Sequence, residues 1–372
     1  MATMRIAFDY QIFGRQEYGG VSRYFFELAR HLSMSPENQV AIAAPVYVNA
    51  YIRDCPQSVN LIGRRVPRWR NTGRVIRALN SVLVASAWKH LRPEIVHETY
   101  YSSKRSGPSS AATVLTVFDM VHEKFPMSSS TFDTSAREKA AAVARVDHIV
   151  CISENTRKDL IDILNVAPEK TSVVYLGAEL SQVQETAVSG PKQAYLLYVG
   201  QRHGYKNFAT LLKAYGESRW LAREFSLVCF GGGGFSHEEL RLADALKVPR
   251  ARLVHRSGDD AKLAELYAGA TAFIYPSLYE GFGIPPLEAM SMGCPVVCSN
   301  TSSLPEVVGD AAETFDPQDV EQMRLAIEHV VGSPTFAGIL IERGRERAKR
   351  FSWQNCADQT LAVYHQTLSR TR

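Results

Sequence analysis

Short apolar runs alternate along the chain with segments whose apolar residues recur at every third or fourth position. After the first run, Val21, Phe25, Leu28 and Leu32 follow at helical spacing. Strands that alternate with helices predict parallel sheets joined by right-handed crossovers. In the first half of the chain, the predicted strands are residues 5–8, 40–44, 95–97, 113–118, 148–152 and 172–175.

This alternation stops at residues 179–192, which are polar, lack periodicity and contain Ser189-Gly190-Pro191. Such a segment is typical of a linker. We therefore expect an α/β fold with two doubly wound, Rossmann-like domains, residues 1–185 and 186–352, facing each other across a cleft. Ligands of such sheets bind beyond the carboxyl ends of the strands. In the second series, the predicted strands are residues 195–199, 226–230, 252–255, 272–275 and 295–298.

The composition is that of an ordinary globular protein. The 372 residues are 45% hydrophobic and 22% charged, which excludes disordered, collagen-like and coiled-coil proteins. The longest apolar stretch, residues 78–88, is about half of the ~20 residues that a membrane-spanning helix needs. The first residues lead into a predicted strand without a signal-peptide pattern. The six cysteines include no Cys-x2-Cys pair, so we expect reduced, buried thiols in a cytoplasmic protein.

Positive charge is concentrated between Arg53 and Arg105, where 11 basic residues face 3 acidic ones, although the net charge of the whole chain is only +4. Six arginines between residues 64 and 77 lie near Trp69 and Trp88. Such a patch is typical of a surface that binds a membrane, a nucleic acid or a phosphorylated substrate, and a solvated helix face is the alternative. Because Trp lies at headgroup depth and Arg is attracted to anionic lipids, residues 64–92 favour peripheral contact with an anionic membrane.

Two turns that follow predicted strands are candidates for binding anions, and a third glycine-rich turn is not. Gly19 and Gly20 open the first helix, whose exposed amides can bind an anion, although a flexible turn is the alternative. Arg202 and Lys206 lie four residues apart after the strand at 195–199, and a guanidinium fork with an ammonium group suits a diphosphate. Four glycines at residues 231–234 lack the later glycine and the acidic residue of a dinucleotide-binding fingerprint.

A further segment combines two carboxylates with a glycine turn. Glu280 follows the strand at 272–275, and Gly281 and Gly283 permit close approach of a ligand to the backbone. Two prolines then open a helix, and we expect Glu288 in its first turn. Alternatively, Glu288 only stabilises the start of the helix and Glu280 is a surface-loop residue. The joint occurrence of both glutamates with the glycines and prolines disfavours this alternative.

The spacing Glu280-x7-Glu288, with Gly281-Phe282-Gly283 at its start, resembles the retaining glycosyltransferases of family 4, which have the GT-B fold. The Gly19-Gly20 loop, the segment around Asp119 and His122, the Ser153-Glu154 turn and the turn at 199–207 are also similar to this family. Many members have His before the aspartate where this chain has Phe118, and we expect His122 to take part of that role. The segment from Phe351 resembles the start of the last helix, so residues 353–372 are expected to pack towards the N-terminal domain.

The resemblance implies an enzyme that transfers a hexose from a nucleotide diphosphate sugar with retention of the anomeric configuration. It implies that the N-terminal domain holds the acceptor and that the C-terminal domain holds the donor. The catalytic residues would be Glu280, Asp119 and His122. The donor-binding residues would be Gly20, Arg202, Lys206, Gly281, Phe282, Gly283 and Glu288.

We expect no metal and no other cofactor, since the chain contains no Asp-x-Asp pattern. The nucleotide sugar, GDP- or UDP-linked, is a substrate, and mannose-type transfer is favoured. The acceptor is expected to be a glycan or lipid-linked oligosaccharide of polysaccharide or lipopolysaccharide assembly, used at the inner face of the membrane, and no nucleic acid is expected. A nucleotide-sugar epimerase of the same architecture and a non-catalytic carbohydrate-binding protein are the alternatives.

Overall fold

The computed structural model describes residues 3–68, 72–125, 130–178 and 194–371, without the side chains of residues 130–133. The chain divides into two compact units. Unit 1 comprises Met1–Gly177 together with Trp353–Arg372, and unit 2 comprises Ala178–Ser352. The linker expected at residues 179–192 and the domain boundary expected at residue 185 both lie outside the described residues.

Within its described residues, unit 1 is built on a parallel sheet of seven strands. The strand order is β3-β2-β1-β4-β5-β6-β7. The edge strand β3 was not predicted, because its second half is basic and exposed and lacks an apolar run. The strands are β1 (Met4–Phe8), β2 (Asn38–Tyr47), β3 (Val59–Arg65), β4 (Ile95–Glu98), β5 (Ala112–Val117), β6 (His148–Cys151) and β7 (Thr171–Val173).

The helices of unit 1 connect these strands as crossovers. The first helix buries Phe25, Leu28 and Leu32 of the predicted apolar face, whereas Val21 is only partly buried and Tyr24 is buried as well. The fifth helix is capped by Ser153, the residue before its first turn, whose Oγ accepts a hydrogen bond from the Thr156 amide at 3.0 Å. The helices are α1 (Gly20–Leu32), α2 (Gly73–Leu91), α3 (Val121–Lys124), α4 (Ser130–Arg145) and α5 (Glu154–Leu164).

Unit 2 contains a second parallel sheet, with six strands among its described residues in the order β10-β9-β8-β11-β12-β13. The strands are β8 (Tyr195–Val199), β9 (Ser226–Phe230), β10 (Leu253–Arg256), β11 (Ala272–Tyr275), β12 (Val296–Ser299) and β13 (Glu313–Phe315). The helices are α6 (Phe208–Glu217), α7 (Arg219–Glu224), α8 (His237–Ala245), α9 (Asp260–Gly269), α10 (Ile284–Ser291), α11 (Leu304–Val308), α12 (Val320–Gly332) and α13 (Pro334–Ala348).

Both sheets are doubly wound, which confirms the predicted fold class. The strand order reverses between β1 and β4 in unit 1 and between β8 and β11 in unit 2. Ligands of open parallel sheets bind beyond the carboxyl ends of the strands at such a reversal. A ligand site in each unit is therefore expected at the loops that follow these four strands.

The last helix, α14 (Trp353–Thr371), belongs to unit 1. Tyr364 on this helix is fully buried, and its hydroxyl lies 2.6 Å from His97 Nδ1 on β4. The other ring nitrogen, His97 Nε2, lies 2.8 Å from Thr116 Oγ1 on β5. At the start of the helix, a Cβ on Gly177 would lie 2.5 Å from the Trp353 amide nitrogen, so only glycine fits there.

The basic segment forms the second half of β3 and the beginning of α2. Trp88 on α2 is buried, and its indole Nε1 donates a hydrogen bond to the Ser106 carbonyl at 2.7 Å. The expectation that Trp88 lies at headgroup depth is therefore wrong, because this ring is part of the packing of unit 1. Trp69 lies outside the described residues.

No single helix in the described part of the chain is long and apolar enough to cross a membrane. Helices α12 and α13 reach this length and apolar composition only when they are taken together, and the chain bends by 95° at their junction. The cysteines are all free, and five of the six are buried. Burial raises the pKa of buried thiols such as Cys151 and Cys298, to about 12.

The contact between α14 and the first sheet predicts a pH dependence of stability. Burial lowers the pKa of His97 to about 3, whereas an unfolded histidine has its ordinary pKa near 6.5. The unfolded state therefore binds a proton that the folded state excludes between these two values. The free energy of unfolding should decrease as the pH falls below about 6.5, by at most ~1.4 kcal/mol per pH unit from this residue.

Chemical denaturation between pH 7 and pH 4 measures this dependence. His97→Gln should show a shallower decrease than the wild type, because glutamine cannot take up the proton. His365→Gln, which changes an exposed histidine on α14, is the matched control and should keep the wild-type slope. Equal slopes in all three proteins would contradict the assignment to His97.

Candidate active site

In unit 2, the loops that follow β8 and β11 bind each other. The Leu278 amide donates a hydrogen bond to the Tyr205 carbonyl at 2.8 Å. The Asn207 side chain donates to the Pro276 carbonyl at 3.0 Å, and its backbone has a positive φ of 57°. These contacts bring together two segments that are about 70 residues apart in the sequence.

Lys206 and Glu280 form an ion pair where these loops meet. Lys206 Nζ lies 2.7 Å from Glu280 Oε1 and 3.5 Å from the Tyr275 hydroxyl. The two charged side chains are 19% and 12% exposed, so the pair is mostly removed from water but still reachable. Burial and the nearby Glu280 charge raise the pKa of Tyr275, which stays a hydrogen-bond donor. The structure thus brings Lys206, which was predicted to bind the diphosphate, together with Glu280, which was predicted to bind the donor sugar.

The glycine turn after Glu280 is fixed by two serines. The Glu280 amide donates to Ser302 Oγ at 2.9 Å, and the Ser303 hydroxyl lies 2.9 Å from the Glu280 carbonyl and 2.6 Å from the Phe282 carbonyl. Gly283 has a φ of 135°, and a Cβ there would lie 3.0 Å from a Leu304 methyl group. The Phe282 ring is buried against Phe351, so Phe282 can offer a ligand only its main chain.

Glu288 lies on α10, which begins at Ile284, so this residue is in the second turn of the helix. The expectation of a first-turn acid is therefore wrong, because the helix starts one residue before the two prolines. The Glu288 side chain is buried, and its Oε2 accepts a hydrogen bond from the Tyr267 hydroxyl at 3.3 Å. Burial, and then the Glu288 charge, raise the pKa of Tyr267. A buried carboxylate with an available lone pair is suited to accept hydrogen bonds from a diol.

Arg202 has different partners from Lys206. Its guanidinium donates to the carbonyls of Gly231 (3.0 Å), Gly233 (2.9 Å) and Gly234 (2.7 Å). Its Nε donates to Glu239 Oε1 at 2.8 Å, and the side chain is almost fully buried. A guanidinium has five N–H groups, so one has no partner among the residues that the structure describes. The structure therefore makes Arg202 the centre of the four-glycine turn, a role that the sequence did not reveal.

In unit 1, Asp119 and His122 lie in and after the turn that ends β5. Asp119 Oδ1 accepts a hydrogen bond from the Val121 amide at 3.0 Å, which closes this turn. Burial, and then the charge of Lys139, lower the pKa of His122, which favours its neutral imidazole form. Gly20 is the first residue of α1, whose first turn carries no acidic residue, and a Cβ at Gly20 would meet open space.

Lys139 on α4 holds the turn that carries Asp119. Its side chain is fully buried, and Nζ lies 2.8 Å from the Asp119 carbonyl and 2.8 Å from Glu123 Oε2. The same ammonium group lies 4.0 Å from Asp119 Oδ1 and 5.3 Å from the centre of the Tyr101 ring. A lysine that interrupts an alanine-rich helical stretch was the only signal of this role in the sequence.

Two further carboxylates are buried at the carboxyl ends of β1 and β4. Asp9 Oδ1 accepts hydrogen bonds from the Thr99 amide at 2.9 Å and from the Thr99 hydroxyl at 2.6 Å. Glu98 forms a bidentate ion pair with Arg145, with N–O distances of 2.8 Å and 2.5 Å. Both carboxylates thus already accept hydrogen bonds from residues of unit 1. The described part of the chain contains no group of three His, Cys, Asp or Glu side chains that could hold a metal ion.

Comparison with known proteins identifies the family of the chain. The family model described as "Glycosyltransferase Family 4" matches residues 18–182, and the model described as "Glycosyl transferases group 1" matches residues 183–347. The O-antigen chain mannosyltransferase B of Escherichia coli is 28% identical, over 93% of this chain and 95% of that protein.

Solved structures show the same fold. The sucrose-phosphate synthase of Thermosynechococcus elongatus superposes with a TM-score of 0.76 at 20% identity, covering 99% of this chain and 100% of that one. Anabaena HepE in complex with UDP-glucose superposes with a TM-score of 0.72 at 16% identity, covering 99% of this chain and 100% of that one. The protein therefore belongs to the group 1 glycosyltransferases and has the GT-B fold.

Proposed function

We propose that this glycosyltransferase moves a mannose-type hexose from a nucleotide diphosphate sugar to a glycan or lipid-linked acceptor, with retention of the anomeric configuration, in polysaccharide or lipopolysaccharide assembly. The observation that carries the proposal is the Lys206–Glu280 pair beside the glycine turn at the carboxyl end of the second sheet. The name of the O-antigen chain mannosyltransferase supports the choice of sugar and pathway. GDP and UDP are both compatible with the residues described, so the nucleotide base stays open.

On the donor side, Lys206 would bind the diphosphate. In the free chain its ammonium group is held by Glu280, 2.7 Å away. A diphosphate carries more negative charge than one carboxylate, so it can take over Lys206 and release Glu280. The released carboxylate could then accept a hydrogen bond from a sugar hydroxyl, while the backbone amides of Gly281 and Gly283 donate hydrogen bonds to oxygen atoms of the donor. Arg202 could add its one remaining N–H.

Glu288 would bind the ribose. Its carboxylate already accepts one hydrogen bond from Tyr267 and can accept more, and a ribose offers two neighbouring hydroxyl donors. Because Glu288 is buried, such hydrogen bonds would be shielded from water. The same side chain does not distinguish a guanine from a uracil nucleotide, since it would contact only the sugar of the nucleotide.

The reaction itself would be a front-face substitution. The bond between the anomeric carbon and the diphosphate oxygen breaks, and a bond from the acceptor oxygen to the same face of that carbon forms. The acceptor proton passes to the leaving phosphate. Negative charge grows on the diphosphate as its bond breaks, and a preset cation stabilises that charge where it develops. Lys206 and the helix amides could supply this stabilisation without a metal ion.

On the acceptor side, Asp119 and His122 would orient the reacting hydroxyl or the donor sugar. A neutral His122 can donate from one ring nitrogen and accept at the other. The buried ammonium of Lys139 fixes the Asp119 turn, and its charge adds to burial in lowering the pKa of His122. The epimerase and the carbohydrate-binding protein are not favoured, because the family matches cover both units.

We further propose that α2 contacts an anionic membrane from the cytoplasmic side. Val75, Leu79, Val82 and Leu83 are between 47% and 74% exposed, and their spacing places them on one face of this helix. Arg74 is exposed in the first turn of the helix, Arg68 is exposed in the segment that precedes it, and Arg64 is exposed on β3. An apolar stripe flanked by arginines is the pattern of a helix that lies in the headgroup region.

The proposed function predicts transfer that needs no divalent metal and keeps the anomeric configuration. With excess EDTA and a panel of nucleotide sugars, one donor should be transferred or slowly hydrolysed, and NMR of the first product should show the donor's anomer. Glu280→Gln should lower the rate about 100–1,000-fold, as loss of one preset contact to developing charge typically does. Lys206→Met should weaken donor binding, and magnesium should not restore it.

Lys213→Met and Glu238→Gln, which change exposed residues of unit 2, are the matched controls and should behave like the wild type. Activity that EDTA abolishes and manganese restores would disprove the metal-free mechanism. An inverted product would disprove retention, and wild-type rates in both site variants would remove Lys206 and Glu280 from the site.

A second prediction concerns the acceptor side. Lys139→Met should lower the free energy of unfolding by about 3–5 kcal/mol, because it leaves the Glu123 carboxylate buried without its partner. The double variant Lys139→Met/Glu123→Met should recover part of this stability. It should still transfer slowly, because the Asp119 turn has lost its anchor, and Asp119→Asn and His122→Ala should also be slow.

Thermal unfolding and acceptor kinetics at a temperature where all variants are folded test this prediction. Lys158→Met, an exposed lysine on α5, is the control for removing one positive charge. A double variant with both restored stability and full activity would mean that Lys139 serves only the fold.

The membrane proposal predicts binding to vesicles that contain phosphatidylglycerol and weak binding to pure phosphatidylcholine. Each arginine near an anionic surface contributes about 1 kcal/mol, so added salt should weaken the binding. Leu79→Ser/Val82→Ser/Leu83→Ser should reduce it further. The matched control changes three exposed apolar residues elsewhere, namely Ile163, Leu325 and Ile339, to serine. Sedimentation that does not depend on lipid charge, or an equal loss in both triple variants, would contradict the proposal.

A further inference from the structure

Unit 1 contains a cavity of about 610 Å³ between the first half of α2 and two loops. One loop follows β1 and contributes residues 10–15, and the other follows β4 and contributes residues 101–106. These strands are the two between which the strand order of the first sheet reverses. The volume lies within the range of small-molecule sites, and the position is where doubly wound sheets bind ligands.

The lining of this cavity is strongly basic. Arg15, Arg74, Arg77, Lys104 and Arg105 line it, and Glu138 is the only acidic residue among its lining residues. This carboxylate lies 3.7 Å from Arg77, so the lining keeps an excess of four positive charges.

The five cationic side chains differ in the contacts that they already make within the protein. Arg105 donates to the Pro108 and Ala111 carbonyls, and the Arg15 guanidinium lies 4.4 Å from the centre of the Tyr100 ring. Arg74 and Lys104 are exposed and have no ion-pair partner among the residues that the structure describes. A cavity that gathers unneutralised cations is complementary to an anion of more than one charge.

Hydrogen-bond donors in the lining point to the same class of ligand. The Ser106 Oγ is buried and has no hydrogen-bond partner in the described part of the chain. Burial raises the pKa of the Tyr10 phenol to about 12, so this lining residue keeps its proton at neutral pH. Gly73 and Arg74 place the beginning of α2 at the cavity, and the first turn of this helix has no acidic residue.

We propose that this cavity binds a phosphate or diphosphate group carried by the acceptor. The inference rests on the proposed function for the identity of the ligand as an acceptor, but the cavity and its charge do not depend on that function. A phosphate group accepts several charge-assisted hydrogen bonds at once, which matches the arginines, the ammonium group and the hydroxyls of the lining. A neutral glycan would leave these cations without a counter-charge.

The two faces of α2 divide the basic segment into two surfaces. Arg74, Arg77 and Ser81 line the cavity, whereas Leu79 and Val82 lie on the other side of the helix and are exposed. The apolar face could rest on a membrane while the cavity face takes the phosphate group of a ligand anchored there. A lipid-linked phosphate and a free phosphorylated sugar share the chemistry that the cavity recognises.

Calorimetric titration of the full chain with inorganic pyrophosphate tests the proposal. UDP and GDP are both present in excess, so that the donor site is filled. The wild type should bind pyrophosphate, and Arg74→Ser/Lys104→Ser should weaken this binding about tenfold or more. Lys89→Ser/Lys158→Ser removes the same charge from exposed positions outside the cavity and should bind like the wild type. No binding by the wild type, or equal binding by the cavity variant, would overturn the proposal.

Two further ligands distinguish the source of the phosphate. Phosphatidylcholine vesicles that carry an alkyl diphosphate represent the lipid-linked source, and glucose 1-phosphate represents the soluble one. Binding that depends on Arg74 and Lys104 with either ligand supports the cavity and identifies its source, and binding that depends on them with neither contradicts it. Donor hydrolysis by the wild type is measured separately, so failure of the proposed function is not confused with failure of the cavity to bind pyrophosphate.

Discussion

Cations bound to carboxylates and to main-chain carbonyls hold the loops at the carboxyl ends of both sheets. Lys139 fixes the turn after β5, Arg202 fixes the four-glycine turn after β9, and the Lys206–Glu280 pair lies where the loops after β8 and β11 meet. Loops at these ends have no ladder of hydrogen bonds to define them. A charged group taken out of water needs several partners at short distance, so each cation selects one conformation of the loop that it binds.

The burial of each cation decides what it can do. Lys139 and Arg202 are almost completely enclosed, and most of their hydrogen-bond donors are used within the protein. They can position other groups but have little left for a ligand. The Lys206 and Glu280 side chains keep a small exposed fraction and have each other as close partners. An anion that enters can therefore exchange with the carboxylate, whereas exchange at Arg202 would require the glycine turn to open.

The sequence predicted those parts of the molecule that depend on local pattern. Eleven of the thirteen described strands and most of the apolar face of α1 follow from short apolar runs and from helical spacing. The edge strands β3 and β13 were missed, because an edge strand needs little apolar sequence. The motif around Glu280 was found by its spacing and its resemblance to a family, but its contact with Lys206 joins residues 74 positions apart.

Other features could not be predicted because they depend on tertiary packing. The alanine-rich sequence around Lys139 is only a weak local signal, since an exposed lysine can occur on a helix with the same flanking residues. Trp88, expected at a membrane surface, is buried in unit 1, and the Ser106 carbonyl accepts a hydrogen bond from its N–H. In the sequence the basic segment was a single feature. In the structure, the orientation of α2 about its own axis places the cavity-lining residues on one side of the helix and the exposed apolar residues on the other.

The difference between paired and unpaired cations has a consequence for catalysis. In the proposed mechanism, a diphosphate would displace Glu280 from Lys206. The gain from the new ion pair would be reduced by the loss of the old one, so ground-state binding of the donor would be weakened. The charge on the diphosphate grows as the anomeric bond breaks, and that added interaction has no counterpart in the free enzyme. Lys206 would thus stabilise the transition state more than the bound donor, which is the condition for raising the rate. Cations such as Arg74 and Lys104, which have no ion-pair partner among the described residues, face no such exchange, and they suit a group that must be bound but does not react.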